Sequence, residues 1–159
     1  MVMLTLITVG TLKENYLKEA SLEYKKRLGQ YARVEEINLK EEVIRNEDDR
    51  TEILRALSAE GERIINAIPK DSAVIALCVE GKQLDSVELS KMLSSMQDEK
   101  GKITLIIGSS HGLCDAVKSR ADFRLSVSKL TFPHQLMRPI LLEAVYRAFT
   151  IIAGKKYHK

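Results

Sequence analysis

The residues of this chain that could do chemistry gather in three short stretches, each at the end of an apolar run of strand length. The first is Gly108-Ser109-Ser110-His111-Gly112, which follows Ile103 to Ile107. Glycines let the backbone approach a ligand closely and offer its amides, an arrangement suited to the adenine or ribose of a nucleotide-like cofactor. The same residue types also serve an ordinary strand-to-helix turn. Neither the spacing nor the Lys-Ser/Thr ending of a triphosphate loop is present, which disfavours ATP hydrolysis. The second stretch, Leu77-Cys78-Val79-Glu80-Gly81, places another glycine at a strand end, and two neighbouring glycine turns make a pocket more credible than one. The third runs from Leu125 through Ser126, Ser128 and Thr131 into Pro133-His134-Gln135-Leu136-Met137-Arg138. Pro133 suits a first helical turn, where its missing amide costs least. His134 is a candidate acid-base group or a satisfied structural histidine, and Thr131 with Pro133 could be capping alone. Cys78 and Cys114 have neither disulfide nor metal-ligand spacing and read as reduced packing residues, so no metal is expected.

Strand-like runs at Leu4 to Val9, Val34 to Leu39, Ala73 to Val79, Ile103 to Ile107 and Arg124 to Val127 alternate with helical patterns. This predicts an α/β fold, a mainly parallel sheet of five to six strands with helices on both faces. The nearly unbroken apolar runs Ala73 to Val79 and Ile103 to Ile107 should be central strands. Thr11 with Glu14, Asp49 with Glu52 and Asp85 with Glu88 have capping-box spacing. Tyr16, Leu17, Ala20, Tyr24 and Leu28 form one helical stripe, leaving Lys13, Lys18, Lys25 and Lys26 largely opposite. Lys40 to Arg50, mixed in charge, reads as an exposed connection. From Leu136 to Ile152 apolar residues occupy every side of a helix, which therefore needs cover all round. A second subunit is the expected cover for the side the sheet cannot reach, with burial inside one chain as the alternative.

The chain of 159 residues, with 45% apolar and 30% charged residues, has the composition of a folded single domain spanning 1–159. A net charge of +3 permits a nucleic-acid partner without requiring one. No apolar run approaches the roughly 20 residues of a membrane helix, and the N-terminus lacks signal-peptide features, so the expected location is the cytoplasm, away from membranes.

Taken together, the glycine-serine loop, Leu125-Ser126-Val127-Ser128-Lys129-Leu130-Thr131-Phe132-Pro133-His134-Gln135-Leu136-Met137-Arg138, Glu143, Tyr146-Arg147-Ala148-Phe149 and Tyr157-His158-Lys159 closely resemble one bacterial family. It is the ribosomal RNA large subunit methyltransferase H family of the SPOUT superfamily, and the likeness extends to Val9-Gly10-Thr11-Leu12-Lys13 near the start. The resemblance implies S-adenosyl-L-methionine as cofactor and N3 of a pseudouridine in large-subunit (23S) ribosomal RNA, within the assembled ribosome, as substrate. It also implies a homodimer and a C-terminal trefoil knot, a threading that sequence periodicity would never suggest.

Carried onto this chain, the family's cofactor contacts fall on Leu77, Gly108, and Val127, Ser128, Lys129, Leu130, Thr131 and Phe132. His134, Arg147 and His158 are the candidates for catalysis, and Arg147, Tyr157, His158 and Lys159 for RNA binding. Simpler roles exist: Arg147 could only pair with Glu143 one turn away, and His158 could only meet phosphate. Three positions depart from the family pattern. Ser109 stands where a second glycine is usual, bearing on cofactor affinity; Ala144 replaces a common glutamine; and Pro139 falls inside the last helix. Other readings are a SPOUT enzyme acting on transfer RNA and a noncatalytic ribosome-binding factor, the latter motivated by Ser109 alone.

Overall fold

The computed structural model describes residues 1–159. Its elements alternate as the hydrophobic runs require: β1 Val2–Val9, α1 Asn15–Leu28, β2 Ala32–Leu39, α2 Arg50–Ala67, β3 Ala73–Lys82, α3 Ser86–Lys100, β4 Lys102–Ile107, α4 Asp115–Arg120, β5 Phe123–Leu125 and α5 His134–Ile152. The five strands pair in parallel in the order β2-β1-β4-β3-β5. Both strands expected to be central, β3 and β4, lie inside the sheet. β5 is shorter than expected: Ser126 and Val127 have already left the ladder.

Side chains alternate across the sheet and fill two cores. On one face, Leu4, Leu6, Ile75, Ile103 and Leu105 pack with Leu28 of α1, Leu89 and Leu93 of α3, and Leu141, Leu142, Val145 and Phe149 of α5. On the other, Ile7, Val9, Val74, Ala76 and Ile106 meet Ile64 of α2 and Val117 of α4. The expected fold class, a parallel sheet with helices on both faces, is thus the observed one.

α5 follows β5 at the sheet edge yet packs against both α1 and α3 over β4. Residues 126–133 carry the chain back across the C-terminal ends of the strands to reach that place, the course along which a C-terminal knot would be tied. The helix passes through Pro139 without a break. Proline removes one amide donor near the start of the helix, in its second turn. Arg138, 5% exposed, anchors this end: Nη2 donates to the Gly10 carbonyl at 3.0 Å and Nη1 approaches Glu36 Oε1 at 3.4 Å. Glu36 is shared with Lys25 of α1.

Most of the apolar surface of α5 is covered by its own chain, so burial within one protomer goes further than the sequence suggested. A stripe of Leu136, Met137, Ile140, Ala144 and Ile151 stays half-buried.

Of the three capping-box spacings, only Asp85 with Glu88 forms the full reciprocal box, at 2.7 and 2.8 Å. Asp49 caps α2 through the amides of Thr51 and Glu52. The Glu52 carboxylate instead accepts the amides of Arg45 and Asn46, tying down the connection from Lys40 onward. Thr11 caps nothing, because α1 begins later, with Glu14 at its N-cap. The buried positions of α1 are Leu17, Ser21 and Leu28; Tyr16 lies about 100° around the helix from Leu17, at the edge of that stripe, and is 65% exposed.

Two measurements test this packing by chemical denaturation. Leu142→Ala, at a site with no solvent exposure, should lose about 3 kcal/mol. Asp85→Ala should lose about 1 kcal/mol through the capping box alone.

Candidate functional site

The C-terminal ends of β3, β4 and β5 face a cavity of about 640 Å³, a size ordinary for small-ligand sites. Its wall comes from the same three stretches singled out by sequence, Leu77 to Glu80, Ile107 to Leu113, and Ser126 to Met137 apart from a few outward residues, joined by Lys118 of α4. Open parallel sheets bind ligands at this rim because the strand-end loops diverge there and leave a crevice.

β3 shapes one wall by bulging. Leu125 of β5 pairs with both Leu77 and Lys82 of β3, so residues 78–81 arch out of the ladder. Gly81 closes the arch, where a Cβ would sit 2.7 Å from the Arg124 carbonyl oxygen. Gly81 is therefore a crossing point between strands and does not line the cavity, contrary to its reading as a pocket glycine. The arch carries Glu80, which meets Lys118 of α4 at 2.5 Å. That bond holds the Glu80 carboxyl below its usual range and the Lys118 ammonium above its own.

Gly108 has a similarly local reason. A Cβ there would run into the Gly112 carbonyl and Leu113, because the loop doubles back with the Gly112 amide donating to the Ser109 carbonyl at 2.9 Å. Gly112 itself has φ +89°, a conformation side chains disfavour. Ser109, the departure from the family pattern, is 5% exposed and its hydroxyl donates to Glu60 Oε1 of α2 at 2.9 Å. His111 lines the cavity and its Nε2 lies 2.6 Å from Glu47 Oε2.

The third loop is held lightly. Its internal bonds are the Ser126 amide to the Lys82 carbonyl, the Ser126 hydroxyl to the Ser128 carbonyl, and the Leu130 amide to Ser128 Oγ. The amides of Val127, Ser128, Lys129, Thr131 and Phe132 have no partner within the chain. Val127, Ser128, Leu130, Thr131 and Phe132 line the cavity, whereas the Lys129 side chain is exposed and outside it. Leu130 is 73% exposed at the mouth.

His134 lies on the cavity wall. Burial pushes its imidazole below the usual value of 6.5, opposed by Glu41 and assisted by Arg138 and Lys13. Arg147 and His158 are not beside it: thirteen residues of α5 separate His134 from Arg147, about 20 Å along a helix. They form a separate cluster near the other end of α5. Arg147 donates through Nε and Nη2 to Glu143 Oε1 at 3.1 and 2.7 Å, and the same oxygen accepts the Tyr157 hydroxyl at 3.1 Å. The guanidinium sits 4.6 Å from the Tyr157 ring centroid, and Nη1 approaches His158 Nδ1 at 3.5 Å. The Glu143 bond raises the Arg147 pKa, while burial and then Glu143 raise that of Tyr157. Lys155, Lys156 and Lys159, which flank Tyr157 and His158 in the chain, are all exposed. No group of His, Cys, Asp and Glu has the arrangement of a metal site, and no helix is long and apolar enough to cross a membrane.

Sequence reasoning missed Glu60, Glu80 and Lys118. Glu80 lies within the second stretch, but its partner Lys118, and the place of Glu60 behind the first, depend on how α4 and α2 cross the sheet.

A cavity on the rim of a parallel α/β sheet, reached by a returning C-terminal segment, defines a class that the family comparison makes specific. The model described as "Predicted SPOUT methyltransferase" matches residues 2–158. Ribosomal RNA large subunit methyltransferase H of Caldicellulosiruptor saccharolyticus is 45% identical over 157 residues, covering 99% of this chain and all of that one. The protein of the same name from Bacillus pumilus is 46% identical, covering 98% and 99%. Among solved structures, a TrmH-family protein from Porphyromonas gingivalis aligns with a TM-score of 0.42 at 12% identity, over 90% of this chain and 59% of its own, too distantly to bear on function. The chain belongs to the ribosomal RNA large subunit methyltransferase H family.

The lowered His134 pKa has a measurable sign. The unfolded chain takes up its proton at higher pH than the folded one, so stability is full above pH 6.5 and falls as pH drops from there toward the folded value. A proton NMR titration should place the His134 midpoint below 6.5, and His134→Gln should flatten the stability slope in that window.

Proposed function

We propose that this protein transfers the methyl group of S-adenosyl-L-methionine to N3 of a pseudouridine in 23S ribosomal RNA on the assembled ribosome, in the cytoplasm and as a homodimer. The observation that carries this reading is the convergence of the three strand-end loops on one cavity, in a chain whose relatives bear the name of a ribosomal RNA methyltransferase. Residues 1–159 would form a single domain for this purpose.

The residues present fit that cofactor. The unpartnered amides of the 127–132 loop can donate to the adenine edge, ribose or carboxylate. Leu77, Leu130, Phe132 and Met137 give apolar walls. The cofactor, when bound, supplies an electrophilic methyl on a positively charged sulfur leaving group. The protein's task is then alignment, which can supply several kcal/mol of such a barrier. His134, held toward its neutral form on the cavity wall, can accept the N3 imide proton as the ring becomes nucleophilic.

Arg147, Tyr157, His158 and Lys159 belong to the RNA side of the reaction. Their distance from His134 within one chain favours a homodimer in which the tail of one protomer completes the cavity of the other. The half-buried stripe of Leu136, Met137, Ile140, Ala144 and Ile151 is apolar surface suited to that contact. Arg147, already braced by Glu143 and Tyr157, would serve positioning, with Tyr157 offering a ring for stacking and the lysines meeting phosphate.

Labelled S-adenosylmethionine incubated with ribosomes lacking the modification, with matched ribosomes lacking the pseudouridine, and with transfer RNA tests the reading. Label confined to pseudouridine-containing ribosomes is expected; label on transfer RNA would overturn the substrate. Tyr157→Ala and His158→Ala should each raise KM for ribosomes about tenfold through lost base and phosphate contacts, leaving cofactor affinity unchanged.

A further inference from the structure

Glu60 is a buried carboxylate for which methyl transfer has no evident use. It lies in the middle of α2, is 3% exposed, and has two oxygens with separate tasks. Oε1 accepts the Ser109 hydroxyl at 2.9 Å, and Oε2 accepts the Glu42 amide at 2.9 Å. One side chain thus joins three segments far apart in sequence: the middle of α2, the Gly108–Gly112 turn, and the connection between β2 and α2.

Such a group is costly to bury, and its energetics show it. Burial pushes the Glu60 carboxyl up, the Glu42 amide and the Ser109 hydroxyl pull it down, and the nearby Glu41 and Glu42 carboxylates push it up again. A well-packed apolar residue would avoid that cost. What an apolar residue could not do is accept hydrogen bonds from two loops at once. Neighbouring contacts strengthen the same junction. Arg63, one turn further along α2, donates to the Lys40 carbonyl at 2.9 Å and pairs with Glu42, while His111 and Glu47 meet across the two loops.

We propose that Glu60 is a positioning residue for the cofactor loop, fixing the Ser109–Gly112 turn from behind through the Ser109 hydroxyl and so setting affinity for the cofactor. In this chain Ser109 replaces backbone permissiveness with a side-chain tether: the residue that departs from the usual glycine is the one Glu60 holds. The Ser109 hydroxyl is thereby engaged with α2. This inference rests on the cavity being the S-adenosylmethionine site.

Isothermal titration of S-adenosylhomocysteine into the full chain separates the two claims. Ser109→Ala and Glu60→Ala should each weaken binding about tenfold, as loss of a hydrogen bond to a buried charged group predicts. The double variant should be no weaker than the weaker single one, because both break the same Ser109–Glu60 bond. Glu60→Gln should bind within about threefold of the parent, since its amide can donate to Ser109 Oγ while its carbonyl accepts the Glu42 amide. In methylation assays the Ser109→Ala loss should fall on KM for S-adenosylmethionine, with kcat retained. Ser109→Ala binding as tightly as the parent, or losses that add in the double variant, would overturn the proposal while leaving the cofactor site standing. If the parent chain itself fails to bind, the cofactor reading falls and this inference with it.

Discussion

The position of α5 is the constraint on which the rest of the molecule depends. Its inner side fills the core above β4, and its first turns lie over the ends of the strands. The buried Arg138 guanidinium holds that end in register with the Gly10 carbonyl and Glu36. Burial pushes the Arg138 pKa down, and Glu36 only partly offsets this, so the side chain resides there because its partners are fixed. Once α5 starts where Arg138 requires, residues 126–133 must cross the strand ends to reach it. The loop that lines the cavity is a consequence of this path.

Local rules made most of the fold legible. The strands followed from apolar runs and the doubly covered sheet from their alternation with helices, because hydrophobic periodicity reports directly on burial. The errors have equally local causes. Thr11 and Glu14 have the spacing of a capping box, but the box works only if the helix begins between them, and α1 begins after both. Tyr16 has the three- and four-residue spacing of the apolar stripe, but it falls at the stripe's edge, where the cover ends. The first α5 reading underestimated how much cover α1 and α3 provide from within the chain.

The candidate site was legible at the level of loops and less so at the level of contacts. Leu77, Gly108 and the 127–132 segment sit at one cavity because each ends a strand of one parallel sheet, a relation sequence order can convey. That Gly108 avoids the Gly112 carbonyl, that Gly81 serves a strand crossing, and that Ser109 reaches Glu60 are all facts of close approach between distant segments. The separation of His134 from Arg147 is, by contrast, contained in linear order, because thirteen positions on one helix span about 20 Å.

The arch of β3 has a bearing on how this protein tolerates change in chain length. Because Leu77 and Lys82 both pair with Leu125, the segment between them is pinned at each end to the same residue. A residue inserted or removed there cannot be absorbed by sliding one strand along the other. Variation over evolutionary time should therefore appear in this segment as exchange of side chains, with its number of residues kept.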